Sequence, residues 1–174
     1  RYPLVTGVQT CALPIFTFSS ARFREPGLDL WIPSSSPWNP PSVPLAEWEP
    51  LRIARGLPLW NVDVDSNTLP PEAGFESDAI SSTKGCYIGQ EVISRLRSVG
   101  HVNRHLCILG SQKSVSLQPP VSVSTPEGKD VGTLSSLAPL NEFTLALAMV
   151  QRNHANPGNS VLAGGVPWTI LRHA

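Results

Sequence analysis

From residue 102 onward the chain alternates short apolar, β-prone runs with turn-forming clusters. The runs are "VNRHLCIL", "VSVST", "VGTLSSLA", "FTLALAMV", "SVLAG" and "VPWTILR". Between them lie "SQKS", "PEGK", "PLNE" and "NHANPGN". Closely spaced strands with Gly, Pro and Asn turns predict a small antiparallel barrel or sandwich, with at least five strands between residues 102 and 172. "TPEGKDVG" is the clearest hairpin, with a turn at Glu127-Gly128. Upstream the period changes. In "IGQEVISRLRSVG", Ile88, Val92 and Leu96 recur every four residues and predict a helix with one apolar stripe, ending near Gly100. Leu45, Trp48, Leu51 and Ile53 predict another helix within residues 44–55; Pro50 weakens its middle, and Gly56 with Pro58 stops it. Residues 33–44 hold five prolines and four serines and predict a loop, because proline lacks an N–H and restricts its neighbour. Residues 17–32 predict a hairpin turning at Pro26-Gly27.

Composition narrows the class. Of 174 residues, 41% are hydrophobic, only 15% are charged, and 18 are proline and 13 glycine. That balance favours a loop-rich, β-leaning protein over a helical bundle. Thirteen basic residues offset 13 acidic ones, so bulk charge does not hold this chain to nucleic acid, and no sequence-specific nucleic-acid contact is expected. No apolar run approaches the ~20 residues that cross a bilayer, so no membrane association is expected. The three cysteines, Cys11, Cys86 and Cys107, have no CxxC spacing. Neither a disulfide framework nor a metal site is expected, and a reducing compartment fits. Residues 1–16, "RYPLVTGVQTCALPIF", lack a signal-peptide pattern and resemble translated sequencing adapter. They are expected to be an artefact or disordered, with a genuine edge strand as the other reading, and Cys11 is set aside.

Charge and chemistry concentrate between residues 61 and 105. Asp63, Asp65, Glu72, Glu76 and Asp78 are followed by Lys84, Arg95, Arg97, His101, Arg104 and His105, with Glu91 the one acid among them. The second group reads either as a solvated face or as an anion site. Cys86 sits in "TKGCYIGQE". If the helix begins near Gly89, then Lys84, Gly85 and Cys86 form the approach to its N-terminus, where a thiolate is stabilised. A buried cysteine in a tight turn is the plain alternative. Cys107, within "HLCIL", reads as packing. Gln90 and Glu91 either hydrogen-bond a ligand or complement the helix dipole. His101 and His105 face one side only if strand alternation holds. No HExxH, GxGxxG, GxSxG or P-loop pattern occurs.

"KGCYIGQE" resembles the K-G-C-Y-x-G-Q-E signature of the YgfZ-type folate-binding proteins, relatives of the glycine-cleavage aminomethyltransferase (T-protein). "LRIARGLP" resembles the family's R-x-E-x-G-x-P segment, "LPPEAG" its P-x-E-A-G-like turn, and "RLRSVGHVNRHL" the entry to its C-terminal barrel. "VGTLSS" resembles a barrel hairpin. Together these run from about residue 21 to 172. The resemblance implies α+β lobes and a C-terminal antiparallel β-barrel around a tetrahydrofolate channel. It assigns residues 17–100 to part of a ferredoxin-like folate-binding lobe and 101–174 to the barrel. This would make the chain a C-terminal fragment, with an incomplete channel. It carries over Cys86 as the functional thiol and Lys84, Gly85, Tyr87, Gln90, Glu91 and Arg95 as cofactor-binding positions. One position departs: Ala54 stands where the transferases place a glutamate on the pterin ring. That loss implies weak or lost folate affinity. The resemblance then implies an accessory protein for iron–sulfur cluster assembly or repair, without turnover of its own, indirectly supporting tRNA modification. Its partners would be iron–sulfur client proteins or cluster carriers, and its location the bacterial cytoplasm or the mitochondrion. An aminomethyltransferase-like, folate-dependent one-carbon transferase is the alternative, and a barrel fragment without activity is a third reading.

Overall fold

The computed structural model describes residues 16–174 apart from Arg22, Trp38 and Pro40. The expectations placed on residues 1–15, including Cys11, lie outside the described residues. The chain falls into two compact units that divide after Leu45. In the first, β1 (Phe16–Ser20) and β2 (Gly27–Trp31) form an antiparallel hairpin with Phe16 opposite Trp31. The turn lies earlier than the sequence predicts: the Arg24 N–H donates to the Ala21 carbonyl at 2.8 Å, and Arg24 takes φ 59°. Pro26, which has no N–H to close a turn, instead leads into β2. The proline-serine segment that follows has neither helix nor strand at its described positions.

The second unit is built on a closed six-stranded antiparallel barrel. Its strands are β3 (Arg104–Ser111), β4 (Val121–Ser124), β5 (Asp130–Leu140), β6 (Phe143–Gln151), β7 (Ser160–Ala163) and β8 (Val166–His173), in the spatial order β3-β6-β5-β4-β7-β8 with β8 pairing back to β3. All six runs that alternation picked out are strands. Period-two geometry sorts β3 and β6 between two cores. Cys107, Leu109, Ala146, Ala148 and Val150 face the barrel interior with Val123, Val131, Leu134, Trp168 and Ile170. Their alternate neighbours Leu106, Ile108, Leu145 and Leu147 join a second core with Ile53, Val64 and Ala73. The small alanines of β6 leave the interior room for the indole of Trp168, which is 1% exposed.

Ahead of the barrel come α1 (Leu45–Ala54), the short α2 (Glu76–Ala79) and α3 (Gln90–Ser98). The first helix stops at Gly56 (φ 68°), as the sequence predicts; a Cβ there would lie 2.7 Å from the Cα of Ala174. Among the described residues, no helix is long and apolar enough to cross a membrane.

A buried charge network ties α1 to the barrel. Arg52, 2% exposed, donates from Nη1 to Asp63 Oδ2 (2.9 Å) and to the Leu57 carbonyl (3.0 Å), and from Nη2 to Ser136 Oγ (2.8 Å). Its Nε faces Glu49 at 3.0 Å. Asp63 also accepts from the Leu59 N–H (2.8 Å) and from the Ser135 hydroxyl. Consecutive serines can both serve this network because β5 is bulged between Leu134 and Ser136, which breaks the alternation there.

Candidate functional site

Residues 81–98 carry every site position that the resemblance assigns. The Ser81 hydroxyl accepts from the backbone N–H groups of Thr83 (3.4 Å) and Lys84 (3.2 Å), folding the chain back on itself. The Gln90 N–H then donates to the Tyr87 carbonyl at 3.2 Å. Gly89 caps α3 in the left-handed region at φ 87°, a conformation that favours glycine. Between these fixed points Cys86 is an exposed free thiol. Apart from its chain neighbours, no atom lies within 4 Å of where a Cβ on Gly85 would sit, so the space beside this backbone is open. Cys107 is the opposite case. It is fully buried in the barrel, and burial pushes its thiol up to about 12.

The structure divides the candidate set. The Lys84 ammonium stands 4.7 Å from the centre of the Tyr87 ring, a cation–π pair beside the cysteine. Glu91 and Arg95 pair with each other at 2.6 Å, one helical turn apart on an exposed face. Tyr87 and Gln90 line a shallow cleft of about 420 Å³ with Ser82, Ile93, Ser94 and Arg97. Lys84, Gly85, Cys86, Glu91 and Arg95 do not line it. The helix also turns a different face inward than the sequence predicts. Ile88 is wholly exposed and Val92 half-exposed, while Ile93 is buried. The reason is the start point: α3 begins at Gln90, so Ile88 precedes the helix and cannot share its stripe.

A pterin ring calls for a carboxylate that takes two parallel hydrogen bonds. Residue 54 is alanine, and its carbonyl accepts from Arg172 Nη2 at 2.8 Å. Glu91 is engaged by Arg95. Neither residue 54 nor Glu91 supplies a free carboxylate for that ring.

Two other resemblance-bearing segments form a clasp at the barrel entrance. Glu72 of "LPPEAG" accepts from Arg104 Nε at 3.1 Å and from the Leu69 N–H at 3.0 Å, and its carbonyl accepts from the Leu106 N–H at 2.7 Å. His105 and His173 stack with ring centres 4.3 Å apart. Burial first, then the neighbouring His173 and Arg152, lower the His105 pKa below its ordinary value. Sequence reasoning named His105 but missed His173 and Arg152. Nothing in their local sequence signals the site, since β8 and the turn after β6 bring them there. Among the described residues, no group of three or more His, Cys, Asp and Glu side chains is placed to hold a metal ion.

No family model matches the chain. Relatives do. A tRNA-modifying protein YgfZ from Colwellia psychrerythraea is 33% identical over 73 residues, 41% of this chain and 22% of that protein. An aminomethyltransferase from Nostoc is 32% identical over 138 residues, 77% of this chain and 35% of that protein. A mitochondrial iron–sulfur cluster assembly factor IBA57 homolog from Eremothecium gossypii is 32% identical over 129 residues, 72% of this chain and 25% of that protein. The chain thus spans between 22% and 35% of the length of these relatives. The glycine cleavage aminomethyltransferase T of Bartonella henselae shares the fold over 73% of this chain and 37% of its own, with a TM-score of 0.64 at 20% identity. With the K-G-C-Y-I-G-Q-E turn, the closed barrel and these relatives together, the chain belongs to the superfamily that YgfZ-type proteins share with the aminomethyltransferases.

Proposed function

We propose that this chain is part of an accessory protein for iron–sulfur cluster assembly or repair, acting on client proteins or cluster carriers and thereby supporting tRNA modification. The observation that carries the reading is Cys86: an exposed free thiol in an open, glycine-flanked turn, beside the Lys84–Tyr87 pair. Iron–sulfur clusters are held by cysteine thiolates, so an accessible thiol can make a transient contact with a cluster or its carrier. YgfZ and the IBA57 homolog support the same direction by their names. In this reading residues 17–100 are part of a folate-binding lobe, residues 101–174 are the barrel, and the protein has no turnover of its own. Lys84, Gly85, Tyr87, Gln90, Glu91 and Arg95 shape the surface around the thiol. Tetrahydrofolate is a weak ligand or none, because Ala54 offers no side-chain carboxylate. The protein works in a reducing compartment, the bacterial cytoplasm or the mitochondrion.

The aminomethyltransferase relative and the shared fold favour a second reading, folate-dependent one-carbon transfer. Ala54 argues against it. Two assays on the native chain separate the readings. Iodoacetamide labelling, read by peptide mass, should modify Cys86 well ahead of Cys107; faster labelling of Cys107 would remove the thiol from the proposal. Aminomethyl transfer from a dihydrolipoyl carrier to tetrahydrofolate should be absent; sustained turnover would establish the second reading.

A further inference from the structure

A second concave site lies away from Cys86, where the end of α3, the segment leading to the barrel and the turn after β6 converge. Leu96, Arg97, His101, Val102, His105, Pro71, Glu76 and Arg152 line a cleft of about 390 Å³. A neighbouring hollow shares His101 and Arg152 and adds Asn103 and Arg104. The charges there are unbalanced. Glu76 is neutralised by Arg97 at 3.1 Å, and Glu72 by Arg104 at 3.1 Å. Among the described residues, no carboxylate pairs with Arg152. Its backbone is fixed, the N–H donating to the Asn103 carbonyl at 2.9 Å. His105 is also fixed, stacked on His173, whose own Nε2 sits 2.9 Å from the Ala155 carbonyl. An unpaired guanidinium and two imidazoles therefore face one hollow from three segments of chain.

We propose that this cleft binds a phosphate-class oxyanion carried by a small organic molecule, with Arg152, His101 and His105 as its ligands. A guanidinium fork takes two oxygens of a phosphate, and imidazoles from other directions take the rest. Pro71, Leu96 and Val102 supply an apolar surface for the organic part. The cleft's volume falls within the range of small-molecule sites, about 300–1,000 Å³. A polyanion such as RNA would need a basic stripe, whereas this chain has zero formal net charge and the cations cluster in one hollow. Burial first, then the neighbouring His173 and Arg152, lower the His105 pKa, and the Glu72 carboxylate acts in the other direction. The site uses no part of the Cys86 turn and stands or falls apart from the accessory-protein reading.

The test is a titration of the ¹³C-labelled histidine ring signals with inorganic phosphate and with phenyl phosphate, at fixed ionic strength against chloride. The expected result is saturable shifts of His101 and His105, with phenyl phosphate bound more tightly than phosphate. Arg152→Gln should weaken binding about tenfold or more, as should His101→Gln, which alters an exposed residue outside the barrel. Cys86→Ser should leave binding unchanged. Shifts equal to those in chloride, or an Arg152→Gln affinity equal to wild type in folded protein, would overturn the proposal. So would an RNA oligomer that displaces phenyl phosphate with affinity rising with length.

Discussion

Replacing Arg52 with methionine is the sharpest perturbation of this fold. The change keeps the apolar stem and deletes the guanidinium. Asp63, whose side chain has no exposure, then loses its cation. Ser136 Oγ and the Leu57 carbonyl each lose a donor. Breaking a buried pair by removing one partner costs about 3–5 kcal/mol. The lower end applies here, since Asp63 retains the Leu59 N–H and the Ser135 hydroxyl. Urea unfolding followed by circular dichroism should show it: a loss near 3 kcal/mol lowers the midpoint by about 1–3 M at ordinary urea sensitivity. Arg52→Lys should recover little, because a point ammonium cannot serve Asp63, Ser136 and Leu57 together. Arg52→Met combined with Asp63→Leu should be more stable than the two single losses added, by about 0.5–3 kcal/mol. A single-variant loss under 1 kcal/mol, or strict additivity, would refute the claim that this network holds α1 to β5.

Three further outcomes follow from the same geometry. A Cβ on Gly132 would lie 2.1 Å from the Met149 carbonyl oxygen across the β5–β6 pair, so Gly132→Ala should cost about 1–3 kcal/mol of thermal or urea stability. His105 has a folded-state pKa below its unfolded value of 6.5. Its contribution is therefore whole above pH 6.5 and is lost as pH falls towards the folded pKa; His105→Asn should flatten that part of the stability–pH curve, and an unchanged slope would contradict the burial argument. Calorimetry with tetrahydrofolate should give weak binding or none; a micromolar Kd, about −8 kcal/mol, would show that this chain has a sufficient site without a carboxylate at residue 54.

The barrel could be read from the sequence because its information is local. Each strand is a short alternating run between turn residues, and alternation survives as burial: Cys107 and Leu109 face one core, Leu106 and Ile108 the other. The helix at 90–98 was legible as a helix but not in its buried face. One residue, Gly89 at φ 87°, sets where the helix begins, and that start leaves Ile88 outside the helix and its stripe. The Arg52–Asp63–Ser136 network was not legible at all. Its members are 11 and 84 positions from Arg52, and the two serines reach it through a bulge that no local pattern announces. The thiol's openness was half legible. Glycine on one side suggested room, and only the structure shows that no atom fills it. The cationic cleft joins residues from three parts of the chain, of which sequence alone offered only the segment around His101 and His105.

The central claim is that Cys86 is the working thiol of an iron–sulfur accessory protein. Its most direct test is made in bacterial cells lacking their own YgfZ protein and supplied with the protein that carries this sequence. The activity of an iron–sulfur enzyme in those cells is the readout. The account predicts recovery with wild type, loss with Cys86→Ser at equal protein abundance, and recovery with Cys107→Ser wherever that variant, polar in an apolar core, still accumulates. Full recovery with Cys86→Ser would contradict it.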